Sequence, residues 1–338
     1  MTDLIPVLVT GGAGYIGSHT CKTLRSKGYL PITYDNLSRG HRWAVRWGPL
    51  VVGDLFDDAA LDAVFAQYSP VAVLHFAGFG YVGESVENPA IYYRNNVAGT
   101  ISLADAMRRN GVDQLVFSST CATYGVAKHG SQVSEQTLQN PISPYGRSKW
   151  MVERILHDYW RAYGLRSVSL RYFNAAGADP ELEIGEVHEP EPHVIPNILL
   201  TAAGQHPVFT VNGQDHDTPD GTCVRDYTHV SDLAAAHVLA LQALQEKRAK
   251  PAYNLGNGRG YSILELLRSA ERVTGKKIPV AYNEARPGDP PAAVADPALA
   301  YRELRWTPQY GGIDAMLGSA WGWMNKYAQE GPPKPINV

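Results

Sequence analysis

The sequence predicts an α/β protein built on a doubly wound parallel sheet, with a smaller C-terminal α/β domain. Short, continuous apolar runs alternate with helical patterns through the first half of the chain, as expected where both faces of a parallel sheet are covered. The first run, Ile5 to Thr10, leads directly into a glycine-rich loop and a helical segment. The predicted domains are residues 1–175 and 176–338, and the prediction leaves open whether the chain crosses back between them.

Each predicted element follows from one such run or pattern. The predicted strands of the sheet are residues 5–10, 30–35, 50–53, 71–77, 114–119 and 167–174. The predicted helices are residues 16–27, 58–68, 96–110, 196–204, 231–247 and 262–274. Frequent proline and glycine between residues 179 and 221 mark the change to the second domain. Ser262 and Glu265 have the spacing of a capping box, which predicts the start of the last helix.

Composition excludes several classes of protein. The chain has 338 residues, enough for two domains, and its net charge of −3 argues against a nucleic-acid partner. Its three cysteines, Cys21, Cys121 and Cys223, are too far apart for a disulfide framework or a zinc set. Neither a signal-peptide pattern nor an apolar run of about 18 residues is present. We therefore expect a cytoplasmic enzyme with no membrane partner.

The glycine loop predicts a dinucleotide site. Gly11, Gly14 and Gly17 lie between a strand and a helix, where the chain must turn sharply and its backbone must approach a pyrophosphate. Asp35 ends the next strand, 18 residues after Gly17, close to the spacing of a ribose-binding acid. A carboxylate there repels the 2′-phosphate of NADP, so we expect a Rossmann-type domain that binds NAD. Asp54, after the third strand, is either an adenine contact or a helix N-cap.

Tyr145 and Lys149 are the predicted catalytic pair. Ser143 as N-cap and Pro144 at the first helical position begin a helix on which the two residues share one face. A tyrosine has a pKa near ~10, and we expect the Lys149 ammonium and a cationic nicotinamide ring to lower it toward neutrality. Thr120, at the end of the fifth strand, can hydrogen-bond the same substrate hydroxyl. The alternatives are a surface Tyr–Lys pair and a strand-capping hydroxyl, and the glycine loop favours the catalytic interpretation.

Over nearly its whole length the chain resembles the extended short-chain dehydrogenase/reductase family and, within it, the UDP-glucose 4-epimerases. The motifs that carry the resemblance are TGGAGYIGSH (10–19), YDNLS (34–38), HFAG (75–78), VGES (82–85), NNVAGT (95–100), FSSTCATYG (117–125), SPYGRSK (143–149), RYFNAAG (171–177), DGTCVRDYTHV (220–230), YNLGNGRG (253–260) and RPGD (286–289).

The resemblance implies NAD as cofactor, a UDP-sugar as substrate and a homodimer, with Tyr145, Lys149 and Thr120 as catalytic residues. The residues implied to hold NAD are Gly11, Gly14, Tyr15, Ile16, Asp35, Asn36, Ser38, Asp54, Leu55, Phe76, Ala77, Gly78, Asn95, Tyr145, Lys149 and Phe173. The residues implied to hold the UDP-sugar are Thr120, Asn174, His193, Val194, Thr210, Asn212, Arg225, Tyr227, Arg286 and Asp289. Taken alone, Arg225 would instead be expected in a surface ion pair with Asp226.

The implied reaction is inversion at C4 of UDP-galactose and UDP-glucose. Tyr145 removes the O4 proton, hydride passes to NAD, and the 4-keto sugar rotates before hydride returns to its other face. A UDP-pentose 4-epimerase is an open alternative, and the small Ala293 suggests that N-acetylhexosamines are also accepted. A 4,6-dehydratase is disfavoured because Thr120 is followed by Cys121 and Ala122 rather than an acid pair. An inactive NAD sensor is disfavoured because Tyr145 and Lys149 are present.

Two further positions bear on ligands. Some family members carry lysine at the position of Gly80, so one pyrophosphate contact is expected to come from elsewhere. His188 and His193 suggest a metal site, but Pro190 and Pro192 prevent a helix that would align them. We therefore expect a solvated loop here and no metal.

Overall fold

The computed structural model describes residues 4–126, 132–285 and 290–334. Within these residues the strands are β1 (Ile5–Thr10), β2 (Tyr29–Asp35), β3 (Leu50–Val52), β4 (Val73–His75), β5 (Gln114–Thr120), β6 (Arg166–Tyr172), β7 (Asn174–Ala176), β8 (Phe209–Asn212), β9 (Val224–His229), β10 (Ala252–Leu255), β11 (Gly260–Ser262), β12 (Val280–Asn283) and β13 (Ala292–Ala293).

The helices lie between and after these strands. They are α1 (Tyr15–Ser26), α2 (Asp58–Tyr68), α3 (Val82–Glu87), α4 (Pro89–Tyr92), α5 (Gly99–Arg109), α6 (Pro144–Tyr163), α7 (Val194–Ala202), α8 (Val230–Gln245), α9 (Ile263–Thr274) and α10 (Ile313–Glu330). Short 3₁₀ turns cover Arg42–Ala44 and Cys121–Thr123, and π-helical turns cover Tyr93–Ala98 and Ala300–Leu304.

The central sheet is parallel and has the strand order β10-β6-β5-β4-β1-β2-β3. Its strands are apolar runs because helices cover both faces: Val7 and Val9 belong to one buried cluster, and Leu8 between them belongs to another. The chain reverses direction across the sheet between β1 and β4, and such a switch point opens a crevice at the carboxyl ends of the strands. The predicted doubly wound fold is confirmed.

The smaller part of the structure is built around β9. This strand pairs with β7, β11 and β13, while β8 pairs with β12. Helices α7, α9 and α10 share one buried cluster that includes Ile198, Leu266 and Leu317. Helix α9 begins with the predicted capping box, in which Ser262 and Glu265 bond each other's backbone N–H groups. This second layer faces the carboxyl ends of the central strands.

The structure adds elements that the periodicity did not indicate. Strand β10, which was not predicted, joins the central sheet beside β6, and the predicted helix α8 packs its Leu233 and Leu241 into the same cluster as Val7. The chain therefore crosses back to the first sheet after residue 175, and the functional division of the chain at that point stays a prediction. Helix α10 was not predicted, and the helix expected from residue 96 begins with a π-helical turn. Among the described helices, none combines the length and the apolar character needed to span a bilayer.

Candidate active site

A cavity of about 1770 Å³ opens at the carboxyl ends of the central strands and extends to the second layer. Its wall includes almost every residue predicted for the site. The predicted residues on it are Gly11, Gly14, Tyr15, Ile16, Asp35, Asn36, Ser38, Asp54, Leu55, Phe76, Ala77, Gly78, Asn95, Thr120, Tyr145, Lys149, Phe173, Asn174, His193, Val194, Thr210, Asn212, Arg225 and Tyr227. Arg286 and Asp289 lie outside the described residues. The roles assigned to all these residues stay predictions.

The glycine loop is as tight as its spacing requires. Gly11 has φ +73°, and a Cβ there would lie 2.4 Å from the backbone nitrogen of Ala77. A Cβ on Gly17 would lie 2.3 Å from the carbonyl oxygen of Gly11. Helix α1 then begins at Tyr15 with Gly14 as N-cap, so no side chain covers its first N–H groups. The positive end of the helix therefore opens toward the cavity and suits a pyrophosphate.

Asp35 is fixed by the backbone of this loop. Its carboxylate accepts hydrogen bonds from the N–H of Ala13 at 3.0 Å and of Leu37 at 2.8 Å. Burial raises the pKa of Asp35 from its usual value, and these two bonds oppose that rise. A carboxylate held in this way on the cavity wall suits a ribose diol. The residues present on this side of the cavity thus fit a dinucleotide that lacks a 2′-phosphate.

Asp54 is not the helix cap that one interpretation allowed. The N-cap of α2 is Asp57, whose side chain accepts from Ala60 N. Asp54 instead accepts a hydrogen bond from the side-chain amide of Asn36 at 2.8 Å, and the Oδ1 of Asn36 accepts from Ser38 N at 3.0 Å. The side chains of Asn36 and Asp54, both predicted around the adenosine, are therefore linked to each other and, through Asn36, to the backbone of Ser38.

Helix α6 carries the predicted catalytic pair and is capped as expected. Ser143 accepts a hydrogen bond from Gly146 N at 3.1 Å, and Pro144 occupies the first turn. The Lys149 ammonium donates to the carbonyl of Ser118 at 2.9 Å, which fastens the helix to the end of β5. The Thr120 side chain bonds Tyr145. The end of β5 and the first turns of α6 therefore meet at one point of the cavity.

The protein alone does not lower the pKa of Tyr145, contrary to our expectation from Lys149. Burial raises the pKa of Tyr145 well above its usual value, and the neighbouring Tyr172 adds to that rise. The hydrogen bond with Thr120 works in the opposite direction but is outweighed. Burial also lowers the pKa of Lys149 to about 8, so its positive charge is itself costly in this cavity.

A buried polar network supports the catalytic helix from behind. Glu153 accepts a hydrogen bond from Ser119 at 2.6 Å and two from the Arg171 guanidinium, at 2.9 and 2.5 Å. Arg171 also donates to the hydroxyl of Tyr124 at 2.8 Å, which in turn donates to Asn254 at 2.7 Å. These contacts tie α6 to β5, β6 and β10. The network therefore fixes the position of Tyr145 on α6 relative to Thr120 on β5.

The second layer presents polar side chains to the other end of the cavity. The Arg225 guanidinium donates to the carbonyls of Val224 at 2.9 Å and Pro290 at 2.8 Å. Asn174 donates to the carbonyl of Asp226 at 2.9 Å, which links β7 to β9. Arg225 thus brings a positive charge to the cavity wall on a fixed strand, a suitable arrangement for a diphosphate.

The alternative of an exposed Arg225–Asp226 ion pair is not what the structure shows. The Asp226 carboxylate is fully buried and accepts backbone hydrogen bonds from Asn257, Gly258 and Ala295. Burial raises the pKa of Asp226 to about 6. Asp226 therefore ties two segments, the β10–β11 loop and the chain after β13, to β9 and does not serve as a surface partner of Arg225.

The predicted solvated loop around His188 and His193 is the largest correction in the site. Residues 186–193 do lie outside the helices, but Glu186 and Glu191 are only 9% and 10% exposed at their side chains. Both histidine rings turn their Nδ1 atoms toward these carboxylates. Burial alone would lower their pKa values, but the two carboxylates raise the pKa of His188 to about 9 and that of His193 to about 10. Glu186, two residues before His188, was the signal that the sequence interpretation missed.

Other cavity residues were also not predicted. The Arg39 guanidinium pairs with Glu84 at 2.5 Å and lies over the rings of Phe79 and Tyr81. The YDNLS motif ends one residue before Arg39, so a basic residue beside a pyrophosphate site was the available signal. Gly80 has open space around it.

Asn96 was missed although it follows the predicted Asn95. Its buried side chain accepts from Phe79 N at 2.8 Å and donates to the carbonyl of Phe79 and to Ser148, both at 3.0 Å. It therefore joins the loop after β4 to α6. Ala293 packs in a small cluster with Tyr124 and Phe173, and the described wall of the cavity is formed by other residues.

The family model, the curated relatives and the solved structures that resemble this chain all belong to epimerases. Residues 7–256 match the model of the NAD dependent epimerase/dehydratase family. A UDP-glucose 4-epimerase of Rhizobium meliloti (strain 1021) is 51% identical over 325 residues, which cover 96% of this chain and 98% of the relative.

Solved structures agree over the same length. UDP-glucose 4-epimerase from Brucella ovis, crystallised in complex with NAD, superposes with a TM-score of 0.92 at 54% identity, covering 94% of this chain and 98% of that one. The enzyme from Bifidobacterium longum, in complex with NAD⁺ and UDP, superposes with a TM-score of 0.89 at 38% identity, covering 96% and 99%.

Proposed function

The chain belongs to the NAD dependent epimerase/dehydratase family, and we propose that it is an NAD-dependent 4-epimerase that interconverts UDP-galactose and UDP-glucose. One observation carries this proposal: a single cavity holds the glycine loop, the Tyr145–Thr120 pair and the Arg225 guanidinium. A dinucleotide and a nucleotide sugar can therefore meet at Tyr145. The identity of 51% to a UDP-glucose 4-epimerase over nearly the full chain supports the same substrate.

NAD is held by the half of the cavity that the central sheet provides. The first turn of α1 receives the pyrophosphate, and Asp35 receives the adenosine ribose. The chemistry that bound NAD supplies is reversible hydride transfer at C4 of the sugar. The chain itself binds and orients both ligands and moves the proton of the O4 hydroxyl.

Tyr145 is the proposed carrier of that proton. Its phenolic oxygen accepts the proton of the sugar O4 during oxidation at C4 and returns it during reduction, so no proton is gained or lost over the cycle. Burial disfavours the phenolate, and the Lys149 ammonium is the chain's own positive charge available to favour it. The Thr120 hydroxyl hydrogen-bonds the phenolic oxygen of Tyr145. In this position it can also orient the O4 hydroxyl of the sugar toward Tyr145.

Inversion requires that the sugar turn while the nucleotide stays in place. Arg225 on β9 is the proposed anchor of the diphosphate, and Thr210 and Asn212 on β8 are the proposed contacts of the uracil. These residues lie on strands, so they hold the UDP at a fixed distance from Tyr145. Arg286 and Asp289 are proposed to complete this grip.

Three finer statements are part of the proposal. We place the enzyme in the cytoplasm and in galactose metabolism, because the substrates of the similar enzymes are nucleotide sugars. We also propose a homodimer, in keeping with the resemblance and with the aromatic side chains of Trp160 and Tyr163 on α6, which stay about half exposed. Light scattering tests the dimer directly.

The direct test is conversion of UDP-galactose by the purified protein with no added NAD. The proposal predicts UDP-glucose as product at equilibrium, with no net change in NADH absorbance, because hydride leaves and returns within one cycle. Absence of UDP-glucose, with NAD added and the protein folded, would contradict it. A parallel panel of UDP-arabinose and UDP-N-acetylglucosamine compares the alternatives on the same sample.

A further inference from the structure

Four side chains in the segment that leads into α7 form a compact cluster. Glu186, His188, Glu191 and His193 each offer one ligand atom, and these four atoms all lie within 4.8 Å of one another. The Nδ1 of His193 is 2.7 Å from a carboxylate oxygen of Glu186 and 3.1 Å from one of Glu191. The Nδ1 of His188 is 3.2 Å and 3.6 Å from the same two carboxylates. Two nitrogens and two oxygens therefore surround one point.

These distances suit a tetrahedral metal ion. Zinc binds histidine nitrogen and carboxylate oxygen at about 2.0–2.2 Å, which places neighbouring ligand atoms of a regular tetrahedron about 3.4 Å apart. Four histidine–carboxylate separations range from 2.7 to 3.6 Å and involve one oxygen of Glu186 and both oxygens of Glu191. With one ligand atom from each residue, all separations stay within 4.8 Å. The separations therefore lie on both sides of the tetrahedral value, and side-chain adjustment is needed to reach it.

His188 is held by ion-pair contacts with Glu186 and Glu191 at 3.2 and 3.6 Å but lacks a well-formed hydrogen bond at Nδ1. His188 Nδ1 is buried and makes no hydrogen bond of good geometry within the described part of the chain, although both carboxylates are near it. A buried nitrogen whose contacts fall short of good hydrogen-bond geometry is held less well than one with a full hydrogen bond, and water or an ion can supply the missing contact. An ion at the centre of the cluster would give His188 a ligand bond and would use its present orientation.

A second acidic group in the structure shows the contrast. Asp179, Glu181 and Glu183 also lie close together, but the ammonium of Lys22 sits among them at 2.8, 2.5 and 2.8 Å. That group already has its cation from the chain. In the cluster of Glu186, His188, Glu191 and His193, the basic partners are imidazoles, which are the preferred nitrogen ligands of zinc.

We propose that Glu186, His188, Glu191 and His193 bind one zinc ion. Four protein ligands leave no open position, so the site is structural and takes no part in the epimerisation chemistry. All four residues line the cavity, and His193 is the N-cap of α7. Glu186 and Glu191 raise the pKa of Tyr15 electrostatically, so the cluster lies near the glycine loop. The ion would therefore hold this segment beside that loop.

The test uses the untagged enzyme with its retained NAD, treated with a chelator and dialysed against zinc. Metal analysis is expected to give one zinc per chain, and cobalt in its place is expected to give the intense visible bands of tetrahedral coordination. Zinc is also expected to raise the melting temperature, because it binds the folded state. The matched control is Glu181→Gln, which alters an acid of the neighbouring group and should keep full zinc binding.

The ligand variants are His188→Gln with His193→Gln, and Glu191→Gln alone. The double variant is expected to bind less than one tenth of a zinc per chain and to lose the zinc-dependent rise in melting temperature. Glu191→Gln, the milder change, is expected to weaken zinc binding at least 10-fold and serves if the double variant does not fold. Less than one tenth of a zinc per chain in the unaltered enzyme, or unchanged affinity in Glu191→Gln, would overturn the proposal.

Discussion

The Lys149 ammonium and the Ser118 carbonyl are joined by a hydrogen bond of 2.9 Å. The bond fixes α6 to the end of β5, one helical turn after Tyr145. Because Lys149 is buried, its pKa falls to about 8. The group that is expected to favour the Tyr145 phenolate is thus held in place by a neutral acceptor and is destabilised as a charge.

This burial predicts a pH dependence of stability. The folded pKa of Lys149 lies below the unfolded value of about 10.5, so between pH 8 and pH 10.5 the unfolded chain holds a proton that the folded chain lacks. The unfolding free energy of the NAD-free protein, relative to Lys149→Met, should therefore rise over this window by at most about 3 kcal/mol. Urea unfolding at pH 8 and pH 10 measures it. A relative stability that is flat or falls would contradict the assignment.

The network behind α6 predicts a large loss of stability in Glu153→Gln. The change leaves the buried Arg171 guanidinium without its carboxylate, and breaking such a pair costs about 3–5 kcal/mol. Asp113→Asn is the matched control, since Asp113 pairs with Arg166 at the exposed end of the same strands. That change should cost less than about 1 kcal/mol. Denaturant unfolding measures the loss of unfolding free energy in both variants. Equal losses would contradict the claim that the Glu153 carboxylate stabilises the buried Arg171 guanidinium.

Gly11→Ala should abolish NAD retention. Gly11 has φ +73°, and an added Cβ would meet the backbone nitrogen of Ala77 at 2.4 Å, so the loop must open to accept it. We expect at least a 10-fold fall in NAD per chain, measured after acid release. Gly318→Ala in α10 is the control, because its Cβ would meet open space and alanine favours a helix by about 1 kcal/mol. Full NAD content in Gly11→Ala would contradict the assigned role of the loop.

The Thr120 hydroxyl is predicted to matter, and its methyl group is not. Thr120→Val keeps the shape but removes the bond to Tyr145 and the cap that accepts from Ala122 N. Turnover should fall roughly 10- to 100-fold, as for a lost hydrogen bond to a charged group. Thr120→Ser keeps the hydroxyl and should stay within about 3-fold of the unaltered enzyme. If serine and valine variants lose turnover equally, the hydroxyl does not act on the substrate.

The sequence was sufficient where local chemistry determines structure. The glycine spacing predicted the loop at Gly11 and Gly17, and Ser143 with Pro144 predicted the start of α6, because a sharp turn and a helix cap are set by residues close in sequence. The close approach of Gly11 to the backbone of Ala77 is a long-range contact that the spacing does not show. The continuous apolar runs predicted the parallel sheet because a strand covered on both faces is apolar along its whole length. Strand β10 was missed because a run of four residues is too short to show a pattern, and it forms a strand by pairing with the distant β6.

The site shows the same limit. Periodicity could not place Asn96, since its three bonds reach residues 17 and 52 positions away. Asn96 also lies within the π-helical turn Tyr93–Ala98, which does not have the period of an α-helix. The prolines at 190 and 192 correctly excluded a helix but gave no indication that the loop folds back on Glu186. The pKa of Tyr145 depends on its burial and on electrostatic interaction with distant residues such as Tyr172, which spacing along the chain does not reveal.

The central claim, that Tyr145 carries the O4 proton, is tested most directly by the turnover of Tyr145→Phe on UDP-galactose. The variant keeps the ring in its buried position and removes only the hydroxyl, so folding and NAD content should match those of the unaltered enzyme. Turnover should fall at least about 10²-fold, the contribution expected of a positioned acid–base group. Turnover within 10-fold of the unaltered enzyme, at equal NAD content, would contradict the account.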